Sequence, residues 1–565
     1  MNTRMDMMKI VAAAAIAASV GSAAAVNFPA TGGNRNMADP AAWGGTMPTS
    51  TDDVVFSVGG TFTASGDVSF RTVTAGGWQK RTVFDFTANN PKLTLTGGSS
   101  AYGLGFSMDN TQDNMYLKGG VWDFSGAMLR NGHDAVFTRG IDLFLQDGVI
   151  VTNVSTFYWA YNANPNSDWS DTCNIEGGSK VYITGNLLNE TTSAYGSAKA
   201  ELNISGGSHV TVGGDLFTDH ISSGSSAAGC NKVTATGEGT LLRLEGSRSY
   251  IGQNNPGNIV TIGDHARFET AGGINIGMSA AAITNSLVIT GGASANIGGS
   301  IYMGNANGTW GNRFVVQDGA HATNTYLTVG GSGGGSLISS KNELVVDNAE
   351  LYLSGWAAIG NPGQNNRATL KSGGVFSSWQ LYVGHQGNSV SNIFEALEGS
   401  TTTVRSKIFV GEAGSWNKLV VSNATSFTAP DIEVGNSGGD HNSFEMQGDH
   451  PKVKLAGQFK LANSSTLHLQ VPAEGYEKDY ALIESGTFNL SDAASRLTVD
   501  MDKYVEKCGG KIIVAQTTGG VSLNATALAA SNALLPERCS FYTSADGKTL
   551  YLKVPSRNGL IISFR

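Results

Sequence analysis

Charged residues are scarce in this chain. Asp, Glu, Lys and Arg together make up 14% of its 565 residues, against roughly 25% in an average globular domain. The formal net charge is −9 and no basic stripe runs along the sequence, so nucleic acid and anionic membrane surfaces are not expected as partners. Disorder is not expected either, because 40% of the residues are hydrophobic and disordered chains contain few.

Cysteine is rare as well, with four residues at positions 173, 230, 508 and 539. They form neither a Cys-x-x-Cys pair nor a Cys/His cluster with zinc spacing. A disulfide between Cys508 and Cys539 is one hypothesis, because both lie in the C-terminal region, but the connectivity is otherwise open. Cys173 occupies a strand position, where burial would be enough to explain it.

Long apolar runs are missing beyond the N-terminus. Residues 1–25 have the parts of a secretory signal: a positive region with Arg4 and Lys9, a short apolar segment, and small residues at a cleavage site. The apolar segment is shorter than the ~20 residues of a spanning helix, so we expect no transmembrane segment in the mature chain. The predicted location is secreted, extracellular or at the cell surface, with the periplasm as the alternative. The Ala-rich signal is typical of bacteria.

Two short phrases recur instead, most clearly within residues 260–446. The first is an Asn followed by a short alternating strand, as in Asn285-Ser-Leu-Val-Ile and Asn342-Glu-Leu-Val-Val. The second ends a strand on Gly, as in Leu381-Tyr-Val-Gly384. Both phrases step by roughly 24–30 residues, which is the range of repeat architectures.

The alternation within these phrases predicts the fold class. Each strand is only ~3–5 residues long with Gly, Asn or Asp turns on both sides, and no later stretch has a sustained helical period. A propeller would need ~40 or more residues per blade. We therefore predict an all-β, right-handed parallel β-helix of about fourteen coils, in which Leu287, Phe314, Leu344 and Leu419 line one continuous interior.

Changes in the repeat give the expected boundaries. They are a signal peptide at 1–25, an N-terminal cap at 26–90, the parallel β-helix at 91–470 and a C-terminal antiparallel β cap at 471–565. Caps are expected because the open ends of a solenoid expose core and unpaired strand edges. Trp43 is the large apolar residue of the first cap.

The recurrent Asn has two interpretations. Stacked Asn side chains can hydrogen-bond from coil to coil as a ladder, and Asn tolerates the left-handed backbone of a corner. Alternatively, Asn is only a favoured turn residue. Its return in eight phrases favours the ladder.

Three stretches of the chain resemble secreted bacterial β-helix proteins of the autotransporter-passenger and adhesin type. They are the opening Trp43-Gly-Gly…Asp52-Asp53-Val-Val, the Asn-x-Leu-Val-Val phrases and the Leu-Tyr-Val-Gly phrases. The likeness covers nearly the whole mature chain. The sequence departs from the autotransporter pattern because no translocator barrel of ~10-residue alternating strands follows, so self-export is not expected. The resemblance implies a surface or matrix role.

Motifs for catalysis are missing. Glycoside hydrolysis needs two carboxylates across a groove, and calcium-assisted lyase chemistry needs several carboxylates with a base. Outward strand positions show one carboxylate, Glu395, among Thr, Tyr and Val. The Gly-rich segment at 330–335 lacks the Lys-Ser/Thr of a phosphate loop. We predict no catalytic residue, no cofactor and no bound metal.

Aromatic residues suggest a binding face. Trp356 and Trp379 precede consecutive Gly-ending strands at nearly the same offset, which predicts that their rings stack one coil apart. Together with outward-facing Tyr302 and Tyr382 they form a candidate glycan-binding face. The alternative is that these rings pack at corners or in the core.

The sequence is compatible with two functions. The leading hypothesis is a secreted noncatalytic surface or matrix protein, an adhesin-like rod whose partners are cell-surface or extracellular glycans or other surface proteins. The rival is a polysaccharide-active lyase or glycoside hydrolase with a site in the loops of residues 150–240. Two outward carboxylates beside a groove would favour the enzyme, whereas a face of Thr, Ser, Asn and Val would favour the rod.

Overall fold

The structure is a computed structural model. It describes residues 25–29, 35–57, 59–75, 81–98, 102–106, 113–132, 141–161, 171–191, 200–221, 230–331, 339–436, 438–472, 476–477, 479–501 and 510–554. Within these ranges the chain winds into a solenoid of about 15 turns, each passing through three parallel sheets in a fixed order. The predicted all-β parallel β-helix is confirmed.

The three sheets are named in the order in which each turn meets them. The first sheet contains Gly60–Phe62, Arg81–Asp85, Asp113–Lys118, Ile141–Gln146, Asp171–Ile175, Ala200–Ile204, Lys232–Thr236, Ile259–Gly263, Ser286–Ile289, Arg313–Gln317, Glu343–Asp347, Arg367–Lys371, Ile393–Ala396, Lys418–Ser422, Ser443–Gln447, Thr466–Gln470 and Arg496–Asp500. The second sheet contains Val68–Phe70, Lys92–Leu95, Val121–Asp123, Ile150–Val154, Lys180–Ile183, His209–Val212, Leu241–Leu244, Arg267–Thr270, Ser294–Ile297, His321–Asn324, Glu350–Leu353, Val375–Ser378, Thr401–Val404, Ser426–Ala429 and Val453–Leu455. The third sheet contains Val26–Asn27, Asp53–Phe56, Thr72–Ala75, Tyr102–Phe106, Met128–Gly132, Phe157–Tyr161, Leu187–Thr191, Leu216–Ile221, Arg248–Ile251, Gly273–Ile276, Ile301–Met303, Leu327–Val329, Ala357–Ile359, Leu381–Val383, Lys407–Val410, Asp431–Val434 and Gln458–Leu461. The short strands Ser339–Ser340 and Gly363–Gln364 pair separately.

One apolar interior runs through the stack. Successive residues of a strand point to opposite sides, and the inward residues Leu287, Phe314, Leu344 and Leu419 have no exposed surface. All four belong to one buried cluster that extends along the chain from cap to cap. Burying each such side chain contributes roughly 1.5–3 kcal/mol, so the stacked apolar columns account for the winding, as predicted.

Aromatic residues cover the first turn. Trp43 ends a 3-10 helix, Pro40–Trp43, and its ring packs against Phe28, Phe56 and Phe70. Its indole Nε1 donates to the carbonyl of Met37 at 2.9 Å. These contacts bury core that a solenoid would otherwise expose at its end.

Parallel stacking continues past residue 470 at the other end. The long strand Ala481–Leu490 extends both the second and the third sheets, and Lys511–Leu523 pairs with it in parallel. Antiparallel pairing joins Thr549–Lys553 to Lys511–Leu523 and to Ser540–Thr543. The antiparallel part of the predicted cap is therefore made of these three strands, with Thr549–Lys553 in the middle.

A helix, Ala525–Ala533, lies beside the last first-sheet strand. This helix was not predicted, because nine residues give little helical period. The signal was an N-cap Asn before an Ala-rich run: Asn524 Oδ1 accepts hydrogen bonds from the N–H groups of Thr526 and Ala527. Among the described residues, no helix combines the length and apolarity needed to cross a bilayer.

Candidate ligand-binding groove

A ladder of buried Asn side chains sets the corner between the third and first sheets. It consists of Asn231, Asn258, Asn285, Asn312, Asn342, Asn366, Asn392, Asn417 and Asn442, all at most 1% exposed. From Asn231 to Asn417, each Nδ2 donates to the Oδ1 of the next Asn at 2.9–3.2 Å. Each backbone N–H before Asn442 also donates to that Oδ1. The predicted ladder is confirmed, and it begins at Asn231.

From Asn258 onward, the left-handed residue at this corner is the one before the ladder Asn, not the Asn itself. Lys341, Asn365, Ser391, Trp416 and His441 have φ between 54° and 62°. The interpretation that Asn was needed for its tolerance of left-handed angles is therefore wrong. Asn is used for its hydrogen bonds, because its carboxamide both donates and accepts along the stack.

The Gly that ends the third-sheet strands meets the ladder. A Cβ on Gly384, whose φ is 82°, would lie 2.1 Å from Nδ2 of Asn417. On Gly360, a Cβ would lie 2.2 Å from Nδ2 of Asn392. Only Gly leaves room for the Asn while adopting this backbone conformation. The two repeated phrases thus form the two halves of one corner.

The outer face of the second sheet carries a column of polar side chains, one per turn. In pairing order the column is Asn296, Thr323, Tyr352, Ser377, Thr403, Thr428 and Lys454. Hydroxyl and amide groups predominate, and they follow one another at the ~4.8 Å spacing of paired strands. This is the kind of face that the sequence analysis associated with a noncatalytic rod.

A groove opens along this column where the second sheet turns into the third. Its volume is about 400 Å³, and it is lined by Asn296, Ile297, Gly298, Thr323, Asn324, Thr325, Tyr352, Leu353, Ser354, Ser377 and Arg405. A second depression of about 480 Å³ continues beyond Arg405 and is lined by residues that include Thr428, Pro430 and Lys454. We call the two together the second-sheet groove.

One buried group in the groove lacks a hydrogen-bond partner. Asn324 is 5% exposed, and its Nδ2 donates to the carbonyl of Tyr326 at 2.8 Å. Its Oδ1 has no partner among the described residues. Because buried polar groups are usually paired, this oxygen is an acceptor that remains unused beside the groove.

Arg405 stands between the two halves of the groove. Its Nη2 donates to the carbonyls of Leu353 at 2.6 Å and Ser354 at 3.2 Å, so the guanidinium is held against the turn two coils earlier. Nη1 makes no hydrogen bond within the described part of the chain. The side chain is exposed, and it presents a positive charge to the groove.

Exposed aromatic rings follow groove residues at the corner toward the third sheet. Tyr326 comes directly after Thr325, and Trp379 comes two residues after Ser377. Tyr326 is 38% exposed and Trp379 is 50% exposed. Rings with this much free surface at the edge of a polar groove can pack against the apolar face of a ligand.

The predicted stack of Trp356 on Trp379 does not form. The sheet pairs Ala357 with Leu381, so Gln380, rather than Trp379, is the residue in register with Trp356. The half-buried Trp356 ring instead lies 5.3 Å from that of Tyr326 and 6.3 Å from that of Tyr382. The two predicted Trp residues share the corner without touching each other.

Four outer carboxylates of the first sheet form ion pairs with cations. Glu343 pairs with Arg313 at 3.0 Å, Asp347 with Lys371 at 3.0 Å, Glu445 with Lys418 at 2.7 Å, and Glu395 with Arg367. Of the described residues that line the groove, none is a carboxylate. This arrangement does not provide the opposed carboxylate pair that glycoside hydrolysis requires.

Two buried carboxylates have opposite electrostatic environments. Burial opposes ionisation of Glu433, but hydrogen bonds from Lys407 and Lys460 outweigh it and lower its pKa. Burial raises the pKa of Asp219 to about 7, although the N–H groups of residues 253–255 donate to it at 2.5–2.8 Å. Both carboxylates lie on the third sheet, away from the groove.

Other predicted features lie partly outside the described residues. The loops proposed for an enzymatic site include 162–170, 192–199 and 222–229, which the structure does not describe, and Cys508 is also outside. Cys539 is half-buried, and its pairing with Cys508 stays a prediction. Cys173 is buried, which raises the pKa of its thiol. Within the described ranges, no three His, Cys, Asp or Glu side chains could hold a metal ion together.

The geometry defines the class of the molecule: a parallel β-solenoid with a carboxylate-free polar groove along one sheet. No protein-family model, no curated protein and no solved structure matches the chain. The functional conclusion therefore depends on the groove itself.

Proposed function

We propose that the protein is an exported, noncatalytic, adhesin-like rod that binds extracellular glycan chains in its second-sheet groove. The observation that carries this proposal is the column of hydroxyl and amide groups beside the exposed rings of Tyr326 and Trp379. Sugars present hydroxyls that need donors and acceptors, and C–H faces that pack on aromatic rings. The secretory signal predicted at 1–25 and the resemblance of the repeats to adhesins are the grounds for proposing export to the cell surface.

The repeat geometry suits a polymer better than a small molecule. Equivalent polar side chains recur in consecutive turns, about 4.8 Å apart. An extended chain lying along the rod can therefore meet a similar set of groups at every turn. The groove is also open to solvent along its length, as polymer binding requires.

Glycan-array binding and polysaccharide pull-down of the mature chain test the proposal. We expect Trp379→Ala to weaken binding about tenfold, which corresponds to ~1.4 kcal/mol, and Trp356→Ala to have a smaller effect because its ring is half-buried. Tyr542→Ala is the matched control, since Tyr542 is 38% exposed on the C-terminal hairpin, outside the groove. Equal binding by Trp379→Ala and Tyr542→Ala would contradict the proposal.

The same samples test the enzymatic rival. We expect polysaccharides to be recovered at unchanged length after incubation with the protein, because the groove lacks paired carboxylates. Release of shortened or unsaturated products would instead show a lyase or hydrolase.

A further inference from the structure

Most of the cations in the described part of residues 313–460 form ion pairs with carboxylates one turn away. Between residues 313 and 460, the paired cations are Arg313, Arg367, Lys371, Lys407, Lys418, Lys452 and Lys460. Three others in this segment, Lys341, Arg405 and Lys454, have no carboxylate partner within the described residues. Two of these three, Arg405 and Lys454, line the groove.

The two groove cations have a defined spacing. Lys454 pairs with Thr428, and Thr428 pairs with Thr403, which lies two residues before Arg405. The cations are therefore separated by two turns, or roughly 10 Å along the rod. In a chain with net charge −9, two unneutralised cations in one carboxylate-free groove favour an anionic ligand.

Arg405 is also oriented for such a ligand. Contacts of Nη2 with the carbonyls of Leu353 and Ser354 fix the guanidinium plane, and Nη1 remains available. Nε also donates to the carbonyl of Ser378 at 3.5 Å, so Nη1 is the nitrogen that can donate a charge-assisted hydrogen bond to a carboxylate or a sulfate. The exposed Tyr352 and the hydroxyls of Thr323 and Ser377 surround it on the same face.

We propose that the second-sheet groove selects acidic glycans, with Arg405 and Lys454 contacting carboxylate or sulfate groups on one polysaccharide chain. This inference rests on the proposed function, because it names the class of glycan that the rod binds. Both anionic groups share the chemistry that a guanidinium recognises. Uronate carboxylates and sulfate esters are the two sources that the experiment must distinguish.

The test measures the affinity of the full mature chain for three soluble polysaccharides of similar length: one neutral, one bearing uronates and one bearing sulfate esters. We expect at least one acidic chain to bind tenfold or more tightly than the neutral chain at low salt. Raising the salt concentration should weaken this binding, because ionic contacts are screened. The acidic chain that binds more tightly identifies the anionic group.

Variants separate specific contacts from general charge. Arg405→Gln should weaken binding of the preferred acidic chain about tenfold, and Lys454→Gln about threefold. Lys454 makes no structural hydrogen bond among the described residues, so its variant remains informative if Arg405→Gln lowers the melting temperature. Lys180→Gln should leave binding unchanged, because Lys180 is exposed on the second sheet outside the groove and forms no ion pair within the described ranges.

Each contrary result has a distinct meaning. If the neutral chain binds as tightly as both acidic chains, acidic selectivity is wrong while the proposed function stands. If Arg405→Gln and Lys180→Gln weaken binding equally, the attraction is nonspecific and this inference fails. If none of the glycans on the array or in solution binds, both the inference and the proposed function are wrong.

Discussion

Turns with the Asn ladder and turns without it have the same three-sheet winding but differ at one corner. From Asn231 to Asn442 every turn supplies a ladder Asn. The equivalent positions in the flanking turns are Asp171, Ala200, Ser465 and Ser495. The apolar interior continues through all of these turns. Apolar burial therefore builds the solenoid, whereas the ladder adds a hydrogen-bonded corner to part of it.

The C-terminal end of the ladder shows what a turn loses without Asn. Asn442 accepts hydrogen bonds from Asn417, but its own Nδ2 has no partner among the described residues. The buried Oγ of Ser465, at the next ladder position, also lacks one. The corner keeps its shape there while two buried polar groups are left without hydrogen bonds.

The largest expected effect comes from adding a side chain at Gly384, where the absence of a Cβ leaves room for a ladder Asn. Gly384→Ala would place a methyl group against Asn417 in a left-handed backbone conformation, and we expect a loss of about 2–4 kcal/mol in the free energy of unfolding. Gly387→Ala is the control, because a Cβ there meets nothing within 4 Å. Chemical denaturation of both variants checks this. Equal stabilities would show that the corner rearranges to accept the methyl group without a loss of stability.

Breaking the ladder comes next. Asn366→Leu would leave buried donors and acceptors of the neighbouring Asn residues without hydrogen bonds, and so would Asn342→Leu. We expect each variant to lose ~1–3 kcal/mol in the free energy of unfolding. Asn296→Leu, at an exposed second-sheet position, should change stability by less than ~0.5 kcal/mol. If thermal melts show the same stability for the variants at buried ladder sites and for Asn296→Leu, the ladder does not stabilise the protein.

Extending the ladder should stabilise the flanking turns. Ser465→Asn would give the unpaired Nδ2 of Asn442 an acceptor, for a gain of about 1 kcal/mol. Ser465→Ala should be nearly neutral, because the Ser465 hydroxyl has no hydrogen-bond partner in the described part of the chain. If Ser465→Asn is less stable than Ser465→Ala in urea unfolding, the space at this corner does not admit a further rung.

The smallest expected effect concerns the charged column of the third sheet. The lowered pKa of Glu433 means that its stabilising contribution is present above the ordinary Glu pKa of ~4.3 and is lost as pH falls through its lowered folded value. Glu433→Gln should remove on the order of 1 kcal/mol at pH 7 and flatten the acid limb of the stability curve. Glu398→Gln, at an exposed site, should leave the loss of stability at acid pH as in the wild type. If both variants lose stability at acid pH in the same way, the Lys407–Glu433–Lys460 contact does not contribute as described.

Features repeated in every turn could be predicted from the sequence. Alternation in Leu287-Val-Ile and its counterparts gave the strands, and the spaced Asn residues gave the ladder. The groove could not be predicted in this way, because its column is assembled from Asn296, Thr323, Tyr352 and Ser377, which are unremarkable in their own strands. These residues become neighbours only when their strands pair. The connections between the strands differ in length, so spacing in the sequence does not reveal the column.

The role of Arg405 depends on still longer-range geometry. Its guanidinium contacts the carbonyl of Leu353, 52 residues earlier in the chain. Trp356 and Trp379 were predicted to stack from their similar offsets before consecutive strands, but a one-residue offset in the sheet register separates their rings. Register between turns, which sequence spacing determines only approximately, decides which side chains become neighbours.

Hydrogen exchange at the ladder amides is the sharpest test of whether the Asn side chains hydrogen-bond one turn to the next. The backbone N–H of Asn342 donates to Oδ1 of Asn366 at 3.0 Å, and the N–H of Asn417 donates to Oδ1 of Asn442 at 2.9 Å. In Asn366→Ala we predict that the Asn342 amide exchanges much faster while the Asn417 amide keeps its wild-type protection. An Asn342 amide that exchanges as slowly in Asn366→Ala as in the wild type would contradict the account.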